Sequence, residues 1–176
     1  MEMEGILPIA YLATLVALLG VLAWLIARQI VKGRQLESVI SDLQPKLEKE
    51  KGEAQDYYEL ASVYLKKKLY AKSISELQKA IKAGGENMPE IYNALGYAYF
   101  AQQQFDLSIK NYKEAIERQP DYVIALNNLG HAYEKKKLLP QAIEVYDKAL
   151  SLNPKNDIAK RRLDSLRKRV TTTPSK

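Results

Sequence analysis

The residues of this sequence best placed to do chemistry are uncharged. One interval separates Asn93 from Asn127 and Tyr97 from His131, and an interval one place longer separates Tyr58 from Asn93 and Ser62 from Tyr97. A side-chain amide can both donate and accept a hydrogen bond, which suits it to the backbone of an extended peptide. Aromatic rings such as Tyr58, Tyr97, Phe100 and the imidazole of His131 offer flat faces to another chain's side chains. The chemistry this set points to is recognition, with Tyr58, Ser62, Asn93, Tyr97, Phe100, Asn127 and His131 lining a protein-binding groove. The alternative for the same positions is a solvated inner face without a dedicated ligand.

Catalysis finds no comparable set. The sequence has one histidine and no cysteine. His131 therefore has no second His or Cys with which to form a metal site, and disulfides and thiol chemistry are excluded. No G-x-S-x-G, P-loop or dinucleotide glycine pattern occurs. The acidic residues are scattered at surface spacing. No catalytic residue, metal or cofactor is expected, and the chain is not expected to be an enzyme.

What must position the groove residues is a repeat. Ala94-Leu95-Gly96 aligns with Asn128-Leu129-Gly130, then Tyr99 with Tyr133, Tyr112 with Tyr146, Ala115 with Ala149 and Pro120 with Pro154. Every one of these pairs keeps the interval between Asn93 and Asn127, a period of about 34 residues. An earlier copy begins at Ala54 with Leu60-Ala61, Tyr64, Ser73, Leu77 and Ala80 in matching places. It runs one residue longer near Gly84-Gly85, where a Gly pair can end a helix without the closing proline. The order of a large residue, Leu-Gly, Tyr, a small residue, an aromatic, Ala and Pro resembles the tetratricopeptide (TPR) repeat. Gly96, Gly130 and Ala61, with Ser73, Ser108 and Ala142 on the facing helix, are small enough for close crossing of the two helices, with Tyr64, Tyr99 and Tyr133 expected to fill the gap, and the prolines suit helix ends. The usual tryptophan position holds Tyr57, Tyr92 and Leu126 instead.

The resemblance implies an all-α fold with three repeats over 54–156 (54–87, 89–122 and 123–156) and helices at about 54–67, 70–83, 89–102, 105–118, 123–136 and 139–152. The first helix of each repeat lines the inner face of such a solenoid. The inward set is completed by Gln55, Lys66, Glu90, Ile124 and Glu134. A solenoid needs a cap, and residues 157–170 supply a helix with Ala159, Leu163, Leu166 and Val170 on one face. Residues 171–176 read as a frayed tail. TPR domains that hold the C-terminal carboxylate of heat-shock chaperones use a clamp of bases and asparagines. The corresponding places here are Tyr58, Ser62, Ala94, Ile124 and Asn128, with no base among them, so that role is rejected.

Upstream, Ile6 to Ala27 is 22 residues without a charge. As a helix this spans about 33 Å, against a bilayer core of about 30 Å. Met1-Glu2-Met3-Glu4 lacks the basic start of a cleaved signal, and no small-residue cleavage site follows. Residues 1–27 thus read as an N-terminal tail and a retained transmembrane anchor. Arg28, Lys32 and Arg34 follow the span, which places the C-terminal domain on the cytoplasmic side and the N-terminus outside. Residues 28–53 read as a helical connector, broken or kinked at Pro45, and a charged hinge over Lys46–Glu53.

The net charge is +6, and seven of the 27 bases fall in the last twenty residues. Lys160, Arg161, Arg162, Arg167, Lys168 and Arg169 make a basic patch, open to an acidic partner, to a lipid surface, or to water alone. Lys66–Lys68 and Lys135–Lys137 sit at equivalent offsets and read as charge at helix C-termini, with an acidic partner or anionic lipid as the alternative. Without aromatic residues among the bases, nucleic acid is not expected as a partner.

Longer stretches carry a closer resemblance. Tyr92-Asn93-Ala94-Leu95-Gly96-Tyr97-Ala98-Tyr99-Phe100 is followed by Gln102-Gln103-Gln104. Pro120-Asp121-Tyr122 leads to Asn127-Asn128-Leu129-Gly130-His131 and Lys136. Ala159 to Arg162 and Ser165 to Arg169 complete the order. With the anchor, this order resembles the cyanobacterial and algal-plastid family of membrane-anchored TPR proteins that assist photosystem I assembly. The resemblance implies a single-pass thylakoid protein with its repeats in the cytoplasm or stroma, whose clients are photosystem I subunits or assembly intermediates. The lack of a transit peptide would then fit a cyanobacterial or plastid-encoded product. Two other readings differ in partner: a structural tether or subunit of another membrane complex, and a bacterial secretion or envelope-assembly adaptor.

Overall fold

The structure is a computed structural model that describes the backbone of residues 3–172 and the side chains of residues 10–169. Val170 as a member of the cap's apolar face, and most of the expected tail over 171–176, lie outside the described side chains. The described residues are helical with no strand. They divide into two compact units, Met1–Leu43 and Gln44–Lys176.

The first unit is built from α1, Met3–Lys49, which continues into the second unit. Its run from Ala10 onward is long and apolar enough to cross a membrane. Leu15, Leu19 and Trp24 stand 54%, 56% and 59% exposed. That pattern is opposite to a soluble core helix, whose large apolar side chains are covered.

Pro45 does not break α1, contrary to expectation, and the expected hinge is helical as far as Lys49. The reason is position. Pro45 lies near the C-terminal end of α1, so the loss of its N–H costs one bond of a ladder about to finish. Leu47, two residues on, packs against the core of the first helix pair. The Tyr64 hydroxyl donates to Gln44 Oε1 at 3.1 Å, holding the same turn. Only Glu50–Glu53 separates α1 from the next helix.

The second unit stacks helix pairs in chain order. They are α2 (Ala54–Lys66) with α3 (Tyr70–Ala80), α4 (Pro89–Ala101) with α5 (Phe105–Arg118), and α6 (Val123–Lys135) with α7 (Leu139–Leu152). A final helix, α8 (Asp157–Thr172), packs on α7. The first helices adjoin, α4 touching both α2 and α6. Each pair turns through a residue with left-handed backbone, Lys68 (φ 59°), Gln103 (φ 61°) and Lys137 (φ 60°). The following amide reaches back five residues in each case: Leu69 to the Tyr64 carbonyl at 2.8 Å, Gln104 to Tyr99 and Leu138 to Tyr133 at 2.9 Å. This is the helix-ending bond that satisfies an otherwise orphaned carbonyl.

Close crossing within each pair rests on size. A Cβ on Gly96 would sit 2.5 Å from the Tyr112 ring, and one on Gly130 would sit 2.6 Å from Tyr146. The aromatic against each glycine therefore comes from the second helix. In the first pair the same two places hold Ala61 and Leu77, both fully buried: a larger residue on one helix opposes a smaller one on the other.

The extra residue of the first copy is absorbed by a π turn, Ile81–Gly85, so α3 ends earlier as an α-helix than expected. Its two glycines have different work. Gly84 has φ +98°, which side chains resist, and a Cβ on the buried Gly85 would meet Ile91, Ala54 and the Ala80 carbonyl. After α5 and α7 the chain extends at Gln119 and Asn153, as residues before proline must. Each fully buried large apolar side chain, such as Ile91, Leu126 or Leu166, contributes about 1.5–3 kcal/mol. Ala159, Leu163 and Leu166 make α8 part of the same core as α6 and α7.

Candidate functional site

The expected groove residues lie on the adjoining helices α2, α4 and α6, but they are not alike. The side-chain amide of Asn128 donates to Asn93 Oδ1 at 2.9 Å, tying α6 to α4. Asn93 also lies beside the Tyr122 side chain. Asn127 and Asn156 exchange amide hydrogen bonds, at 2.9 and 3.3 Å. Asn156 Oδ1 accepts the Ala159 N–H as well, at 3.2 Å, capping α8. The two equivalent asparagines expected to grip a peptide backbone are thus both bound within the fold. A half-buried amide that finds partners in its own chain gives them up only at a cost of about 1–3 kcal/mol.

The exposed members of the inward set are Gln55, Lys66, Tyr97 and Ile124, so α4 and α6 contribute the apolar ones. Tyr97 is 45% exposed and Ile124 is 58% exposed. Tyr58 and Ser62, on α2, are half-buried. The Tyr122 hydroxyl has its pKa raised, first by burial and then by nearby Tyr58 and Glu90, with Asn93 working the other way. Tyr58, Glu90, Asn93 and Tyr122 therefore gather where α2, α4 and the start of α6 meet.

Phe100 and His131 form a second group. Their rings stand 4.7 Å apart at 44°, and Phe105 packs edge-on to Phe100 at 5.5 Å. The His131 pKa is lowered, first by burial and then by the positive charge of Arg162; Lys135 acts the same way and Glu134 opposes. Glu134, expected at an inward position, is engaged within the fold. It accepts the Tyr146 hydroxyl at 2.8 Å and pairs with Arg162 at 3.5 Å. Burial and that carboxylate raise the Tyr146 pKa strongly.

Several bases of α8 are tied to the fold while remaining exposed. Arg162 leans on α6 through Glu134, and Arg167 pairs with Asp147 of α7 at 2.9 Å. Arg161 donates to the Asp157 carbonyl of its own helix. All six bases are exposed, and Arg167, Lys168 and Arg169 each have further interactions within the structure.

Asn128, Tyr122 and Asn156 do not figure in the groove expected from sequence. A signal for two of them was there. Tyr122 and Asn156 hold equivalent places in successive repeats, each two places after a repeat-closing proline. Each contacts one member of the equivalent pair Asn93 and Asn127. Among the described residues no cluster of His, Cys, Asp and Glu could hold a metal ion.

Family models of the tetratricopeptide repeat match residues 54–83 and 93–169. The chain is 39% identical to the ycf37 protein of Cyanophora paradoxa, over 82% of this chain and 86% of that one. It is 36% identical to the ycf37 protein of Pyropia yezoensis, over 92% and 96%. It is also 36% identical to the chloroplastic tetratricopeptide repeat domain-containing protein PYG7 of Arabidopsis thaliana, covering 93% of this chain but only 56% of that protein. Among solved structures the fold is similar to MamA (TM-score 0.75, 21% identical, covering 80% of this chain and 81% of that one). It is also similar to the first TPR of RPAP3 bound to an HSP90 peptide (TM-score 0.65, 23% identical, 68% and 94%).

Proposed function

The chain belongs to the tetratricopeptide-repeat family and, within it, to the ycf37 group; from that premise we propose that it is a membrane-anchored scaffold whose inner face holds protein clients during photosystem I assembly. The observation that carries the binding part is the pairing of exposed Tyr97 and Ile124 with amides already bound among themselves. A surface of this kind gains affinity by covering apolar side chains, with the asparagines serving as a rigid wall that costs little to order.

The exposed apolar run of α1 supports the anchor, and the bases that follow it support a cytoplasmic or stromal face for the repeats. A tether raises the effective concentration of the array toward membrane-bound clients without new contacts. The ordered segments quoted above, together with a chloroplastic relative, support the thylakoid and photosystem I. Tetratricopeptide repeats are interaction modules, and the role proposed needs no covalent step.

Recovery from mild detergent of a C-terminally tagged chain, followed by mass spectrometry, tests this. The native chain should bring down photosystem I subunits at less than one per chain, and a Tyr97→Ala/Ile124→Ala variant of unchanged helicity should lose them. Equal recovery by that variant rejects the inner face as the site. Recovery of a different complex at fixed ratio makes the chain a permanent subunit of it. Release of the chain from membranes by carbonate rejects the anchor.

A further inference from the structure

The outward face of α8 has a composition that the client-binding role does not use. Ala159, Leu163 and Leu166 are buried against α6 and α7. Ile158, Arg161, Ser165, Lys168 and Arg169 fall at i, i+3, i+7, i+10 and i+11, which is one stripe of an α-helix turned away from that core. All five are exposed, Ile158 by 53%. Just before α8, Leu152 ends α7 with 45% of its surface exposed. Asp157 and Asp164 border the stripe on its Lys168 edge, Arg169 lies at the other edge, and Arg161, Ser165 and Ile158 fall at its middle.

Bases beside exposed aliphatic groups on one helix face suit the boundary between anionic headgroups and acyl chains. The guanidinium and ammonium groups meet the negative surface while Ile158 enters the apolar margin. An acidic protein would satisfy the charge but gives no reason for the exposed Ile158 and Leu152. A bilayer satisfies both; this step rests on the anchoring of the same polypeptide proposed above. We propose that the Ile158–Arg169 face of α8 is a docking surface for an anionic bilayer.

The absence of cysteine makes this testable at one defined place. Ser165→Cys in the full chain accepts a spin label in the middle of the stripe. The labelled chain is placed in nanodiscs of phosphatidylcholine, and in nanodiscs containing about 30 mol% phosphatidylglycerol, enough for a negative surface potential. Collision with oxygen, which concentrates in lipid, is compared with collision with a water-soluble nickel chelate.

The expected result is a label that gains oxygen contact and loses nickel contact only in the anionic discs. About 1 M sodium chloride, where the Debye length is about 3 Å, should reverse the change. Arg161→Gln with Lys168→Gln should lower the docked-to-free ratio by about 25-fold, since each base near such a surface contributes about fivefold. An unchanged label in a chain that co-elutes with the discs overturns the docking surface and leaves the anchor standing. A chain that does not enter the discs overturns both. Protection of the label by polyglutamate in neutral discs, with none from anionic lipid, assigns the face to an acidic protein instead and overturns the lipid proposal.

Discussion

Asn127 and Asn156 hold each other by two side-chain hydrogen bonds, of 2.9 and 3.3 Å, across the joint between α6 and the capping helix α8. Asn156 is buried and caps α8 through the Ala159 N–H. The pair closes the array at the point where a solenoid would otherwise leave an apolar end open.

Replacing Asn156 by Ala removes the cap, worth about 1 kcal/mol, and leaves the Asn127 amide short of its partner, which adds about 1–3 kcal/mol. The loss should concentrate in α8, whose amides should exchange faster than those of α2 and α3. Urea unfolding of Asn127→Ala, Asn156→Ala and the double variant should show a coupling of roughly 0.5–3 kcal/mol. Additive effects would mean that the two amides act independently.

Gly96 faces Tyr112 at a distance that excludes any side chain. Gly96→Ala should cost roughly 1–3 kcal/mol by overpacking, even though Ala favours a helix over Gly. The first helix pair holds Ala61 and Leu77 at these two places. Combining Gly96→Ala with Tyr112→Leu should therefore be less damaging than the sum of the two single changes. Thermal unfolding of the four proteins checks it.

The paired helices were legible because small and large residues recur on a fixed period, but the partners at the crossing were not: Tyr99 and Tyr133 are expected to fill the gap beside Gly96 and Gly130, and Tyr112 and Tyr146 of the second helices are what meet those glycines. The site was less legible, because composition shows what an amide can do and not what it already does. Asn93 and Asn127 sit at the expected inward offset, yet each already holds a partner within the fold, Asn128 for the one and Asn156 for the other. Pro45 misled for a similar reason. A proline disfavours a helix locally, while Leu47 and Gln44 gain contacts only if the helix continues. Long-range partners decide such cases, and a one-dimensional pattern does not contain them.

Gln103 turns the second helix pair with φ 61°, a conformation in which a Cβ is unfavourable. Gly at this position is freed from that strain and should stabilise the array by a few tenths to about 1 kcal/mol, after the greater flexibility of the unfolded chain is counted. The same change at Lys68 or Lys137 should act alike, because the three turns share their geometry. Denaturation midpoints that fall instead would show that these side chains make contacts outweighing the backbone strain.

His131 gives the array a dependence on pH. Burial lowers its pKa in the folded state, and Arg162 beside it acts in the same direction. The folded chain therefore binds a proton less readily than the unfolded chain, whose histidine titrates near 6.5. Above that value neither state is protonated and His131 has no effect. As pH falls through it, the unfolded state takes up protons first, and stability declines until the folded pKa is passed. His131→Gln should remove this part of the slope while leaving whatever the carboxylates contribute at lower pH. Melting temperatures measured in steps from neutral pH downward should converge for the two proteins at the neutral end if the substitution is otherwise benign. Parallel curves throughout would show that Glu134, the one neighbour favouring the charged ring, offsets the combined effect of burial, Arg162 and Lys135.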